Sequence, residues 1–322
     1  MTSTLCRLFQ WAMAPIAFVC LSCTETTAPM KEDEPANEGP VSRGPLAFVS
    51  NRTGSWHIYL ANADGSAATR LTPGEKPAWS PDGRRIAFHR GITTGGVQGI
   101  YVINADGSGE TRIRADGGNP AWSPDGSRIV FNTWVGVQGG IFVMNADGSS
   151  ATMLVGNEFE NEGDWVGQPT WSPDGRSIAF IRAGYDTGWA IYIMDAGGSE
   201  PHQLPNAGSN EPSWSPDGSM LAFESRPAIG TVRLDGSDTR YYAVGRWNGD
   251  PDWSPDGRSL LFNTFTSPVG DAMSAVASRM RIYVVSREDG SIRQLIADAV
   301  APALPSYWDH QAVWSRVSGS NP

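Results

Sequence analysis

The stretch Pro120–Gly126, PAWSPDG, decides the fold of this chain because it recurs. A sixth, degenerate copy, AVWSRV, surrounds Trp314. The tryptophans of successive copies are 43, 49, 43, 39 and 61 residues apart. Self-similarity at about 40–50 residues indicates a solenoid, a propeller or another array of repeats. The remaining copies begin at Pro77, Pro169, Pro212 and Pro251.

The content of each unit favours a propeller. SPDG is typical of a tight turn, because proline presets φ and glycine accepts a left-handed backbone. RIVFNT, which follows it in the unit from Pro120, is rich in β-branched residues and predicts a strand. IFVM and ATMLV predict two more strands, separated by the Asp147–Gly148 turn. Four antiparallel strands in about 45 residues make one propeller blade.

The two ends of the repeat region predict how the ring closes. LAFVSNR, from Leu46, matches the second strand of a unit, and the chain ends on a lone first strand around Trp314. We therefore predict an all-β, six-bladed β-propeller over residues 44–316, with four antiparallel strands per blade. The C-terminal strand joins the N-terminal blade, which pairs the edges that an open ring would expose. Residues 317–322 are expected to be a disordered tail.

The pattern WSPDG…IAF…IYxxNADG resembles the WD40-like propeller repeats of the TolB family. The resemblance covers nearly all of the chain after residue 43. TolB proteins also carry a small α/β domain before the propeller, and this sequence has only a polar stretch there. The resemblance implies a propeller-only relative that acts as a binding scaffold in the bacterial cell envelope.

The first 23 residues predict export. Arg7 is their only charge, and the mostly apolar run from Leu8 to Ser22 fits a signal peptide. Leu21-Ser22-Cys23 resembles the end of a bacterial lipobox, with Cys23 as the lipidated residue. Plain secretion and an uncleaved anchor are the alternatives. Residues 24–43 are acidic and proline-rich, which predicts a disordered tether. The expected location is periplasmic, outer-membrane or extracellular.

Composition narrows the classes of partner. The formal net charge is −10 and the isoelectric point is near 4.9, which disfavours nucleic acid. Contact with a membrane is expected only through the lipid anchor, and the protein is expected to be a monomer. No cysteine follows Cys23, so no disulfide holds the propeller. The repeated Asp-Gly turns offer one carboxylate each, which favours turns over calcium sites.

The candidate binding site is the mouth of the central channel, at the end where the loops vary. The residue three before each repeat tryptophan should enter the channel there, and all six are polar. A hydrated mouth and a ring that orients a ligand both remain open. Trp165 and Trp308, in predicted long loops, could be loop packing or apolar anchors. The mouth residues are Lys76, Asn119, Gln168, Glu211, Asp250 and Gln311, with His310 beside the last.

Catalytic motifs are missing from the sequence: it has no G-x-S-x-G, H-E-x-x-H or phosphate-binding loop. Its four histidines fall in different predicted blades, so neither a metal nor a cofactor is expected, although the acidic loop 158–164 leaves a cation site open. The sequence therefore favours a non-catalytic scaffold for a protein partner or a small ligand such as a glycan. The alternative is a carbohydrate-active or other small-substrate enzyme, with Glu211 and Asp250 as an acid/base pair.

Overall fold

A computed structural model describes residues 45–91, 98–133, 139–156, 165–184, 188–243, 247–266, 279–296 and 309–316. Several sequence-based expectations lie outside these ranges: the leader with Cys23, the tether, the acidic loop 158–164, Trp308 and the tail. In the part of the chain that is described, no helix is long and apolar enough to cross a membrane.

The described residues form six antiparallel sheets of four strands each, as the sequence predicts. Blade 1 contains β1 (Leu46–Ser50), β2 (His57–Ala61), β3 (Thr69–Pro73) and the last strand, β24 (Asp309–Trp314). Blade 2 contains β4 (Glu75–Trp79), β5 (Arg85–Arg90), β6 (Gly99–Asn104) and β7 (Thr111–Arg114). Blade 3 contains β8 (Gly118–Trp122), β9 (Arg128–Thr133), β10 (Gly140–Asn145) and β11 (Thr152–Gly156).

The other three blades have the same order of strands. Blade 4 contains β12 (Trp165–Trp171), β13 (Ser177–Gly184), β14 (Gly188–Asp195) and β15 (His202–Gln203). Blade 5 contains β16 (Asn210–Trp214), β17 (Met220–Ser225), β18 (Ala228–Arg233) and β19 (Arg240–Tyr242). Blade 6 contains β20 (Trp247–Trp253), β21 (Ser259–Thr266), β22 (Arg279–Ser286) and β23 (Ile292–Gln294).

The ring closes through blade 1, which confirms the predicted sharing of a blade between the two ends. Strand β24 pairs antiparallel with β1, with Leu46 opposite Trp314. Ser315 N donates to Pro45 O at 2.9 Å just beyond the strand. Strand β1 therefore has a partner on each side, and its edge is not left open.

The repeat tryptophans join neighbouring blades, as expected of packing residues. Trp214 of blade 5 is buried in a cluster with Ile181 and Ile191 of blade 4. Its Nε1 donates to Thr170 O of blade 4 at 3.3 Å. Because each ring fills the space between two blades, truncating one to alanine should cost about 3–5 kcal/mol.

The SPDG turns also link blades. In the first of them Gly83 N donates to Ser80 O at 2.9 Å, as in a β-turn. Pro81 lies against the turn of blade 3, where a Cβ on Gly126 would meet its Cδ at 3.6 Å. The φ of Gly126 is +69°, so glycine supplies the left-handed backbone that the turn requires.

The innermost strands are longer than the sequence suggests. Strand β4 already begins at Glu75, before the proline of PxWSPDG. In blades 4 and 6 the innermost strands begin at Trp165, which the sequence placed on a loop, and at Trp247. Both rings therefore stand on strands at the variable end of the channel.

Candidate functional site

Each innermost strand carries a β-bulge at the same place. In blade 2 its register with the second strand shifts between Glu75 and Ala78. The residue at the bulge has a left-handed backbone in all six blades, which is uncommon for residues other than glycine, asparagine and aspartate. These residues are the six predicted from the tryptophan spacing: Lys76 (φ 51°), Asn119 (49°), Gln168 (51°), Glu211 (52°), Asp250 (48°) and Gln311 (52°).

The six bulge residues line one end of the central channel, and we call them the mouth ring. The cavity that they share with the prolines of the SPDG turns has a volume of about 490 Å³. In the sixth repeat, Arg316 stands where the other five repeats have the proline of SPDG, and it lines the end of the channel opposite the mouth ring. A volume in this range is typical of small-ligand sites.

Side chains of the mouth ring hold the backbone of the next blade. Gln168 Oε1 accepts Glu211 N at 2.9 Å, and Glu211 Oε2 accepts Asp250 N at 2.7 Å. In the same way Gln311 Oε1 accepts Lys76 N at 2.8 Å. Each bond satisfies an amide that the bulge removes from the strand ladder. These side chains therefore help to keep a strained backbone in place.

Lys76 lies across the channel. Its Nζ donates to Glu211 Oε1 at 2.6 Å and to Asp250 Oδ1 at 3.0 Å. The three side chains are 29%, 18% and 18% exposed, in that order. The sequence contains only one other lysine, Lys31, but many arginines. The single lysine of the propeller thus reaches across its mouth to two carboxyl groups.

The charges of this cluster perturb one another. Burial lowers the pKa of Lys76, but the charges of Asp250 and Glu211 outweigh it and hold that pKa above its ordinary value. Burial and the nearby charge of Asp250 raise the pKa of Glu211 to about 8, against the opposing effect of Lys76. One ammonium is shared by two carboxyl groups, which favours the neutral form of Glu211 relative to an isolated glutamate.

Two buried asparagines support the mouth ring, and the sequence reasoning missed them. Asn132 Oδ1 accepts Asn119 Nδ2 at 2.8 Å, and Asn263 Nδ2 donates to Asp250 Oδ2. Asn132 lies in the strand predicted from RIVFNT, and Asn263 lies in the second strand of blade 6. The available signal was the polar residue directly after phenylalanine in RIVFNT and SLLFNT, where a buried strand has little reason to carry an amide.

The other predicted site residues have different positions. His310 lies in β24 opposite Val49. Trp165 begins β12, and its ring centroid is 5.2 Å from that of Trp189 at an angle of 45°. Among the described residues, no group of three or more His, Cys, Asp and Glu could hold a metal ion.

The comparisons with solved structures place the fold among well-known propellers. TolB from Acinetobacter baumannii is 19% identical, with 86% of this chain and 67% of that chain covered and a TM-score of 0.68. A chain of the nidogen/laminin complex is 12% identical, with 83% and 98% covered and a TM-score of 0.60. Oligogalacturonate lyase in complex with manganese is 17% identical, with 80% and 75% covered and a TM-score of 0.50.

Similarity at this level shows the fold alone, and a propeller carries many unrelated functions. Comparison with curated protein sequences gives no significant match. The sequence profile described as the TolB beta propeller domain matches residues 73–183 and 157–281. The chain therefore belongs to the TolB β-propeller family.

Proposed function

We propose that this protein is an exported, non-catalytic propeller that binds a partner or ligand over the mouth ring. The observation that carries the proposal is the engagement of every carboxylate oxygen of the mouth ring. Glu211 Oε1 and Asp250 Oδ1 accept from Lys76, Glu211 Oε2 accepts from Asp250 N, and Asp250 Oδ2 accepts from Asn263. A general acid or base needs an oxygen within reach of the reacting proton. Carboxylate oxygens that are held by hydrogen bonds suit a preorganised recognition surface better than a catalytic site.

A second candidate function is an enzyme with its site at the mouth. One observation favours it: burial and the charge of Asp250 raise the pKa of Glu211, which would suit this group to act as an acid beside the carboxylate of Asp250. Such a pair is what acid/base chemistry on a glycosidic bond requires. Release of reducing sugar by the purified protein, abolished by Glu211→Gln, would favour this function over the scaffold.

Attachment to a membrane surface completes the proposal. Cys23 would carry the lipid, and residues 24–43 would tether the propeller at a distance from the bilayer. One acyl chain anchors weakly, so firm attachment requires the several chains of a bacterial lipoprotein. Cys23→Ala should move the protein from the membrane fraction to the soluble fraction. Mass spectrometry that finds unmodified Cys23 in membrane-bound protein would refute the lipid anchor.

The binding face can be tested with two matched variants. Glu211→Gln with Asp250→Asn keeps the shape of the mouth ring and removes both charges. Ser108→Lys changes the exposed NADGS turn at the opposite end of blade 2. Pull-downs from host envelope extract should lose their specific partner with the first variant and keep it with the second. Loss with Ser108→Lys alone would assign binding to the opposite face.

A further inference from the structure

Two innermost strands reach further toward the variable end than the others. Strands β12 and β20 share the pattern W-x-G-x-P-x-W, and each begins with a tryptophan three residues before its mouth-ring residue. At about 3.3 Å per residue, Trp165 and Trp247 stand roughly 10 Å along the strand from the mouth ring. The residues three before Lys76, Asn119 and Glu211 are not tryptophans, so the SPDG repeat does not require either ring, although Trp308 precedes Gln311 by the same three residues.

The aromatic surfaces at these strand ends are open to solvent. Trp247 is 58% exposed, and Trp189, which packs against Trp165, is 53% exposed. The guanidinium Cζ of Arg226, in blade 5, lies 5.2 Å from the ring centroid of Trp247. Arg226 also pairs with Glu224 at 2.5 Å. Among the described residues, Arg226 and Glu224 of blade 5 therefore place charged groups beside the ring of Trp247.

Below these rings the mouth presents amide donors. The backbone amides of the next blades occupy the side-chain oxygens of Gln168 and Gln311. This orients both amide groups and leaves each Nε2 without a hydrogen bond to another described residue. Each Nε2 carries two donors, and both residues line the cavity. Oriented donors of this kind fix a ligand at low entropic cost.

This arrangement fits a sugar better than a protein surface. The core of a protein interface is depleted of charged residues and buries its aromatic anchors together. In this protein the tryptophan rings of blades 4 and 6 stand apart, around the charged residues Lys76, Glu211 and Asp250. A pyranose offers an apolar C–H face to an aromatic ring and hydroxyl groups to amides and carboxylates at its edge. The net charge of −10 disfavours a polyanionic sugar.

We propose that the channel mouth binds a neutral or amino-bearing oligosaccharide. Trp247 and the Trp165–Trp189 pair are the stacking platforms, and the Gln168 and Gln311 amides donate to hydroxyl groups. The inference rests on the proposed function of the mouth as a binding site and names the class of its ligand.

Calorimetric titration of the purified mature protein tests this inference. The probes are hexamers of glucose, N-acetylglucosamine, glucosamine and galacturonate. At least one of the first three hexamers should bind. Trp247→Ala should weaken the affinity for that hexamer about tenfold, because it removes one stacking contact. The matched control is Tyr241→Ala, because Tyr241 is equally exposed at 58% but lies on the outermost strand of blade 5. It should bind like the parent.

Three results would overturn the inference: no binding of the four hexamers below about 1 mM, a preference for the galacturonate hexamer, or equal losses in the Trp247 and Tyr241 variants. If partner capture still depends on Glu211 and Asp250 while no hexamer binds, the glycan inference is wrong and the proposed function stands. If capture does not depend on them either, both are wrong.

Discussion

Lys76 Nζ lies 2.6 Å from Glu211 Oε1, although the two residues are 135 positions apart and belong to blades 2 and 5. In a ring of six blades these two face each other across the axis. Most contacts that hold a propeller together join neighbouring blades, as Trp214 does. The lysine joins opposite sides, so it couples the stability of the ring to the charge at its mouth.

Removing the ammonium should destabilise the ring. Lys76→Met retains the aliphatic stem and leaves two partly buried carboxyl groups without their cation, which we expect to cost about 2–3 kcal/mol. Urea denaturation measures the loss. Arg84→Met, an exposed substitution on the turn end, should cost little. If the two variants unfold alike, Lys76 makes no net contribution.

The pH dependence of stability should report Glu211. Its pKa in the folded protein, about 8, is above its ordinary value of 4.5. Between these values the folded protein holds a proton that the unfolded chain releases, so the free energy of unfolding falls as pH rises from about 4.5 to 8. Glu211→Gln should flatten this slope in denaturation series across that window. An unchanged slope would show that Glu211 is already ionised when folded.

Asp252 should stabilise the closing strand. Its carboxylate accepts Trp314 N and Ser213 Oγ, each at 3.0 Å, so it connects three consecutive innermost strands. Alanine fits this place, since Ala78 and Ala121 occupy it in other blades. Asp252→Ala removes the acceptor of both hydrogen bonds and should cost about 2 kcal/mol. Hydrogen exchange at the Trp314 amide should accelerate selectively, and uniform protection would argue against this role.

Deleting every residue after Ala312 should open the ring. The truncation removes the strand positions that pair with Leu46 and Ala47. It thereby exposes a strand edge that can pair with another molecule. Size-exclusion chromatography should show aggregation, and thermal denaturation should show a lower melting temperature. A truncated protein that remains monomeric with an unchanged melting temperature would contradict closure through β24.

The sequence predicted the number of blades and the closure because both follow from counting repeats. It also identified the mouth ring, since a fixed distance from each tryptophan places those residues at the same height. It did not predict the bulges, because lysine, glutamine and glutamate are poor residues for φ near +50° and only the paired geometry of two strands shows that backbone. Trp165 was expected on a loop because nothing local marks where a strand lengthens.

The cross-channel position of Lys76 can be measured directly. In a Lys31→Arg protein labelled with ¹³C-lysine, Lys76 gives the only lysine signals. Because Asp250 and Glu211 hold its pKa above the ordinary 10.5, its Cε shift should stay that of an ammonium through pH 10.5. With Glu211→Gln and Asp250→Asn, the effect of burial remains, and the pKa of Lys76 should fall below its ordinary value. A Cε shift that titrates at its ordinary value in the parent protein would contradict the account.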